Sequence, residues 1–167
     1  GKSMKLDNAA INGFFRKDER CFEGVYLATY RLLYHVAFGY LHHEEDSREA
    51  VIETYAKALE SRFERKGSFK AWLVRICVNL CLDRLKKEKP EPLEEEEHPQ
   101  TEGYSDLLEQ TKKALNPEEY EVLVYRVYGN AEFHEIAEML SLPSASSARG
   151  IFHRAKKKCQ IALKEYR

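Results

Sequence analysis

Apolar positions recur along this chain at helical spacing. Over residues 67–87, Phe69, Trp72, Leu73, Ile76 and Leu80 fall at steps of three and four, and Ser68 stands where a side-chain oxygen can cap the first turn. At about 100° per residue, Val74, Val78, Cys81 and Leu85 line a second apolar face. The pattern predicts an amphipathic helix buried on two sides, with a narrow polar stripe of Arg75, Asn79 and Lys86 between them. On these residues alone the stripe reads either as solvated surface cations or as a binding seam.

The same spacing organises what precedes it. Residues 22–41 form a dense aromatic and aliphatic run (Val25, Tyr26, Tyr30, Leu33, Tyr34, Ala37, Phe38) that predicts a core helix. His42-His43-Glu44-Glu45-Asp46 breaks it and is expected to be a turn, because adjacent imidazoles in regular structure do not converge on one metal ion. A third helix is expected over 47–60, with Asp46 or Ser47 as its cap. Its buried face is Ala50, Val51, Thr54, Tyr55, Ala58 and Leu59, and its outer face carries Glu49, Glu53 and Lys57. Residues 6–20 are a short mixed stretch, a helix or a loosely held arm.

Beyond the central helix the pattern stops. Residues 88–104 hold three prolines, a run of four glutamates and almost nothing apolar, a composition that cannot bury enough surface to offset the entropy of ordering. This is the expected linker between two small domains, 5–87 and 105–167. The second opens with a helix near 105–115. Asn116-Pro117-Glu118-Glu119 then sets out cap, first-turn proline and capping-box glutamate for another helix running to Tyr128. Gly129-Asn130 ends it. Ile136, Ala137 and Leu140, the turn Ser141-Leu142-Pro143, and a helix starting within 144–147 then spell a helix-turn-helix whose last helix is strongly basic. The fold class expected is all-α.

Charge changes the picture. The formal net charge of −1 argues against a polyanion partner until it is resolved along the chain. Residues 61–89 carry nine Lys/Arg against three Asp/Glu, and 136–167 carry seven against two. Between them, 90–135 carry thirteen acids against three bases. Two basic segments parted by an acidic one fit two contacts with a polyanion. In the first segment the connector 61–67 combines Arg62, Arg65 and Lys66 with Phe63, cations for phosphate and a ring on which an unpaired base can stack; Phe63 packing inward is the alternative.

Other chemistry is excluded more easily. Cys21, Cys77, Cys81 and Cys159 show no CxxC pair and read as reduced, mostly buried thiols of a cytoplasmic protein, with Cys77 and Cys81 a packing pair. No run approaches the ~18 apolar residues of a membrane span, no signal peptide is legible, and Gly1-Lys2-Ser3 before Met4 is set aside as a cloning remnant. His134, Glu135 and His153 form no metal or nucleophile constellation, and no glycine loop cradles phosphate. Neither catalysis nor a cofactor or metal is expected.

Three stretches together resemble the extracytoplasmic-function sigma factors, the promoter-recognition subunits of bacterial RNA polymerase. The run 46–55 is similar to the family's acidic polymerase-binding helix. Residues 67–76, continuing through Asn79, Leu82, Asp83, Arg84 and Leu85, are similar to its promoter-melting helix. Residues 115–118, 135–143 and 153–158 resemble its C-terminal DNA-reading domain. The resemblance implies that Asp46, Glu49 and Glu53 contact polymerase core, and that Arg62, Phe63, Arg65, Lys66, Arg75, Asn79 and Lys86 hold the minus-ten element. Ser146, Ser147, Arg149, Arg154, Lys156 and Lys157 would contact the minus-thirty-five duplex. It further implies promoter DNA and an anti-sigma factor as partners. The chain departs from the family at Arg48, at Ile52, and over 144–151, where the turn is one residue longer and Ile151 replaces a common basic residue. A regulator that uses only the helix-turn-helix, with the N-terminal part degenerate, is the alternative.

Overall fold

The computed structural model describes residues 6–64, 68–87 and 112–165, and the described residues form helices. In chain order these are α1 (Asn8–Phe15), α2 (Glu19–Leu41), α3 (Glu44–Glu60), α4 (Phe69–Lys87), α5 (Pro117–Val127), α6 (Phe133–Met139) and α7 (Ala145–Glu165). The expected linker lies outside the described residues, as does most of the helix expected near 105–115.

Helices α1 to α4 pack on one another, and α7 packs on α5 and α6. The two groups also meet each other, through α2 against α5 and α4 against α6. Phe14, Val25, Leu33, Val36, Val51, Leu73, Val74 and Val78 are fully buried in the first group, and Val122, Tyr125 and Ile136 in the second, within one continuous apolar cluster. Full burial of such side chains is worth about 1.5–3 kcal/mol each, so this core is the main source of cohesion.

Local chemistry starts each helix. Asp7 accepts from the Ala10 N–H at 2.9 Å, Asp18 from Cys21 at 3.0 Å, and Ser68 from Ala71 at 2.9 Å. Asn116 and Glu119 cap each other's backbone N–H groups at 2.8 and 2.9 Å behind Pro117, the reciprocal arrangement the sequence predicts. The stretch 6–20 resolves into helix: α1 buries Ala10, Ile11 and Phe14, and α2 starts at Glu19 rather than Phe22.

The third helix starts earlier than the expected 47. His42 ends α2 in the left-handed region at φ 53°, and His43 takes the cap, its Nδ1 accepting from the Asp46 N–H at 3.3 Å. Glu44, Glu45 and Asp46 thereby become the first turn, where the helix dipole favours negative charge. Cys77 and Cys81 are fully buried in the core, and the Cys77 thiol points at the Leu33 carbonyl oxygen, 3.7 Å away.

Candidate nucleic-acid interface

Helix α4 is buried on both predicted sides: Phe69, Leu73, Val74, Val78 and Cys81 are inaccessible, while Trp72, Ile76, Leu80 and Leu85 are half-buried. Between them Asn79 and Lys86 are exposed and Arg75 is half-buried. At its N-terminal end the ring of Phe63 packs 5.3 Å from those of Phe69 and Trp72, and Phe15 joins the same cluster. Phe63 is thus held by neighbouring rings yet is only half-buried, and Arg62 beside it is exposed. Arg65 and Lys66 lie outside the described residues.

The seam is not free along its length. Arg75 pairs with Glu121 of α5 at 2.9 Å and donates to the Met139 carbonyl oxygen of α6 at 3.3 Å. One turn earlier Lys70 pairs with Glu135 of α6 at 3.2 Å. Glu121 also accepts from the buried Tyr125 hydroxyl, which fixes its position. Burial alone would raise the Glu135 carboxyl, but the Glu132 N–H and the Lys70 ammonium outweigh it and hold it below the ordinary range. Sequence reasoning missed Lys70, Glu121 and Glu135, because ion pairs between residues dozens of positions apart leave no local spacing signal.

Helix α7 presents the second basic surface. Ser144 caps it, its Oγ 3.2 Å from the Ser147 N–H and from the Ser147 Oγ, so Ser147 is partly engaged while Ser146 is exposed. Arg149, Arg154, Lys156 and Lys157 are exposed. Arg149 lies over the Phe133 ring at 5.1 Å, Arg126 over the same ring at 4.4 Å, and Lys156 over Phe152 at 5.7 Å. Rings under cations restrain them while leaving their donors outward. Ile151 is buried, so the position where the family often has a base faces the core here. Lys158 turns the other way, to the buried Glu119 at 2.8 Å, and with the Asn116 N–H it holds that carboxyl below the ordinary range.

The acidic face of α3 has its own cation. Arg84, from the last turns of α4, bridges Glu53 at 2.5 Å and Glu49 at 3.4 Å, yet those carboxylates stay 51% and 63% exposed. Asp46 lies 3.6 Å from His43, its own cap residue. Ile52, 65% exposed, stands among these acids, an apolar contact within an anionic rim.

The sigma-70 region 2 family model matches residues 25–91, which takes in most of α2 with α3 and α4. The chain is 28% identical over 164 residues to the ECF RNA polymerase sigma factor SigW of Bacillus subtilis (strain 168), covering 84% of this chain and 83% of that protein. It is 26% identical over 151 residues to the RNA polymerase sigma factor YlaC of the same organism, covering 80% and 87%. Among solved structures, CnrH in complex with the cytosolic domain of CnrY shares the fold, with a TM-score of 0.69 at 21% identity over 96% of this chain and 99% of that one. Region 2 of the sigma-70 family is thus matched over most of α2 with α3 and α4, and over most of its length the chain is similar to extracytoplasmic-function sigma factors.

Proposed function

We propose that this chain directs bacterial RNA polymerase core to specific promoters and helps to melt them at transcription initiation. The observation that supports this reading is the region 2 match over residues 25–91, the stretch that includes α3 and α4. Glu49, Glu53 and Asp46, with Ile52 among them, suit a basic, partly apolar surface on polymerase. Arg75, Asn79 and Lys86, with Arg62 and Phe63 at the near end, suit a separated strand: cations for phosphate and a ring edge for a base. Extruding one base costs a few kcal/mol of unstacking, which phosphate contacts and polymerase binding offset. Arg65 and Lys66 belong to the same proposal by sequence.

The domain 105–167 would act on duplex DNA through its helix-turn-helix. Ser146, Ser147 and Arg149 stand nearest the bases at the N-terminal end of α7, and Arg154, Lys156 and Lys157 follow on phosphates. The protein works in the cytoplasm and uses no catalytic group. No helix among the described residues is long and apolar enough to cross a membrane. An anti-sigma factor is the further partner proposed, and the complex of CnrH with CnrY is a precedent for a protein held on this fold.

Run-off transcription with purified core polymerase on a promoter library tests the reading. Initiation from a defined subset of templates that depends on the chain is the expected result. The competing regulator, with a degenerate N-terminal part, predicts DNA binding without polymerase capture, and the region 2 match weighs against it.

A further inference from the structure

The outward face of α2 carries a charge pattern that neither the proposed polymerase contact nor the proposed DNA contacts use. Glu19, Glu23, Leu27, Arg31 and His35 follow one another every four residues, so they form a single row about 24 Å long on the helix surface. Both acids and Arg31 are exposed, His35 is half-buried, and Leu27 at the centre is 66% exposed, the most accessible large apolar side chain among the described residues. Among the described residues, none of Glu19, Glu23 and Arg31 takes part in an ion pair within the chain. The helix dipole accounts for Glu19, in the first turn, but fades before Glu23 and Arg31. The spacing also sets Glu19 beside Glu23, a like-charge pair that works against the isolated helix. A second row runs alongside: Phe22, Tyr26, Tyr30, Tyr34 and Phe38 are half-buried, and the rings of Tyr26, Tyr30 and Tyr34 follow one another at 4.9 and 6.2 Å. The groove between the rows has an aromatic wall.

In chain order the first row is acid, acid, leucine, arginine, histidine, so turning it end for end about Leu27 sets each acid opposite a nitrogen base. We propose that α2 pairs antiparallel with α2 of a second copy of this chain about a two-fold axis at Leu27, Glu23 of each copy meeting Arg31 of the other and Glu19 meeting His35. An isologous interface requires such self-complementarity, whereas a foreign partner requires none. Packing four-residue ridges into four-residue grooves, at about −50°, runs the two charged rows along each other and lets each Leu27 enter the other copy's groove against the tyrosine rings. One helix pair buries less than about 1,200 Å² in total, the class of weak, reversible contacts. The expected dissociation constant is on the order of 10–100 µM.

Sedimentation equilibrium of the full chain, at concentrations spanning that constant, is expected to show a reversible monomer–dimer equilibrium that weakens with added salt. Glu23→Arg alone and Arg31→Glu alone each set like charges opposite one another twice per dimer and should weaken association at least about tenfold. The reversed side chains are exposed, so the fold is not at stake. An equimolar mixture of the two variants should pair again, because every charge at these positions is then complementary between chains. The double variant Glu23→Arg with Arg31→Glu keeps the wild-type net charge and should dimerise about as strongly as the wild type. A wild type that stays monomeric throughout, dimers that survive either single reversal, or single variants that remain apart when mixed would each overturn the proposal. Loss of polymerase capture by Glu23→Arg, with no self-association of the wild type, would assign the face to polymerase and overturn it as well.

Discussion

Helices α4 and α7 are both basic in sequence, yet the structure puts their cations to different uses. On α7, Arg149, Arg154, Lys156 and Lys157 face solvent, and aromatic rings support Arg149 and Lys156. On α4, Arg75 and Lys70 are neutralised by carboxylates from the other helical group, and Arg84 by two from α3. Net charge along a segment therefore says where a polyanion could bind, and the tertiary partners decide which cations are available to bind it.

The sharpest way to break this comparison is within α7 itself, where Lys158 pairs with the buried carboxylate of Glu119. Lys158→Met leaves the Glu119 carboxylate buried without its partner and should destabilise the fold by about 2 kcal/mol. Lys157→Met should stay within about 0.5 kcal/mol in stability while weakening duplex binding and flattening its salt dependence. Urea unfolding and salt titrations separate the two.

A smaller effect follows from pH. Burial, with some help from the Lys112 charge, depresses His42 from 6.5 to about 4. The folded state thus resists a proton that the unfolded chain accepts, so its contribution is present above 6.5 and lost as pH falls toward 4. The group faces the rings of Phe38 and Tyr128. His42→Asn, which suits the left-handed backbone there, should flatten the stability profile in that window. Glu119 acts lower: held down by Lys158 first and the Asn116 N–H second, it loses its contribution as pH falls below 4.5, and Lys158→Met should shrink that loss.

The smallest expected change is a gain. A Cβ at Gly150 would meet only the Arg154 guanidinium at 3.7 Å, so Gly150→Ala should stabilise α7 by about 0.5–1 kcal/mol. Thermal denaturation reads it, and duplex affinity should not fall.

Much of the fold was legible because it is written locally. Periodicity found α2 and α4, and the Asn116-Pro117-Glu119 signature found the start of α5. The start of α3 was not legible because histidine, accepting through Nδ1, replaced the usual Ser, Thr, Asp or Asn cap. Helix α1 is a two-turn element whose order comes from Phe14 stacking on Phe22 and meeting Phe69 edge-to-face, contacts absent from its own sequence. At the site, Arg75, Asn79 and Lys86 were readable as a stripe, but the capture of Arg75 by Glu121 depends on two groups of helices meeting. Ile151 looked like a missing base contact because composition does not reveal which way a residue in an amphipathic helix points; its burial explains the apolar side chain.

The central claim, that the α4 seam separates promoter strands, is tested most directly by permanganate footprinting of the melted region with core polymerase. The variant is Arg75→Ala with Lys86→Ala, which leaves the buried faces of α4 intact. The account predicts that reactive thymines around the start site disappear while polymerase binding by the variant stays at the wild-type level. Wild-type reactivity with the double variant would contradict it.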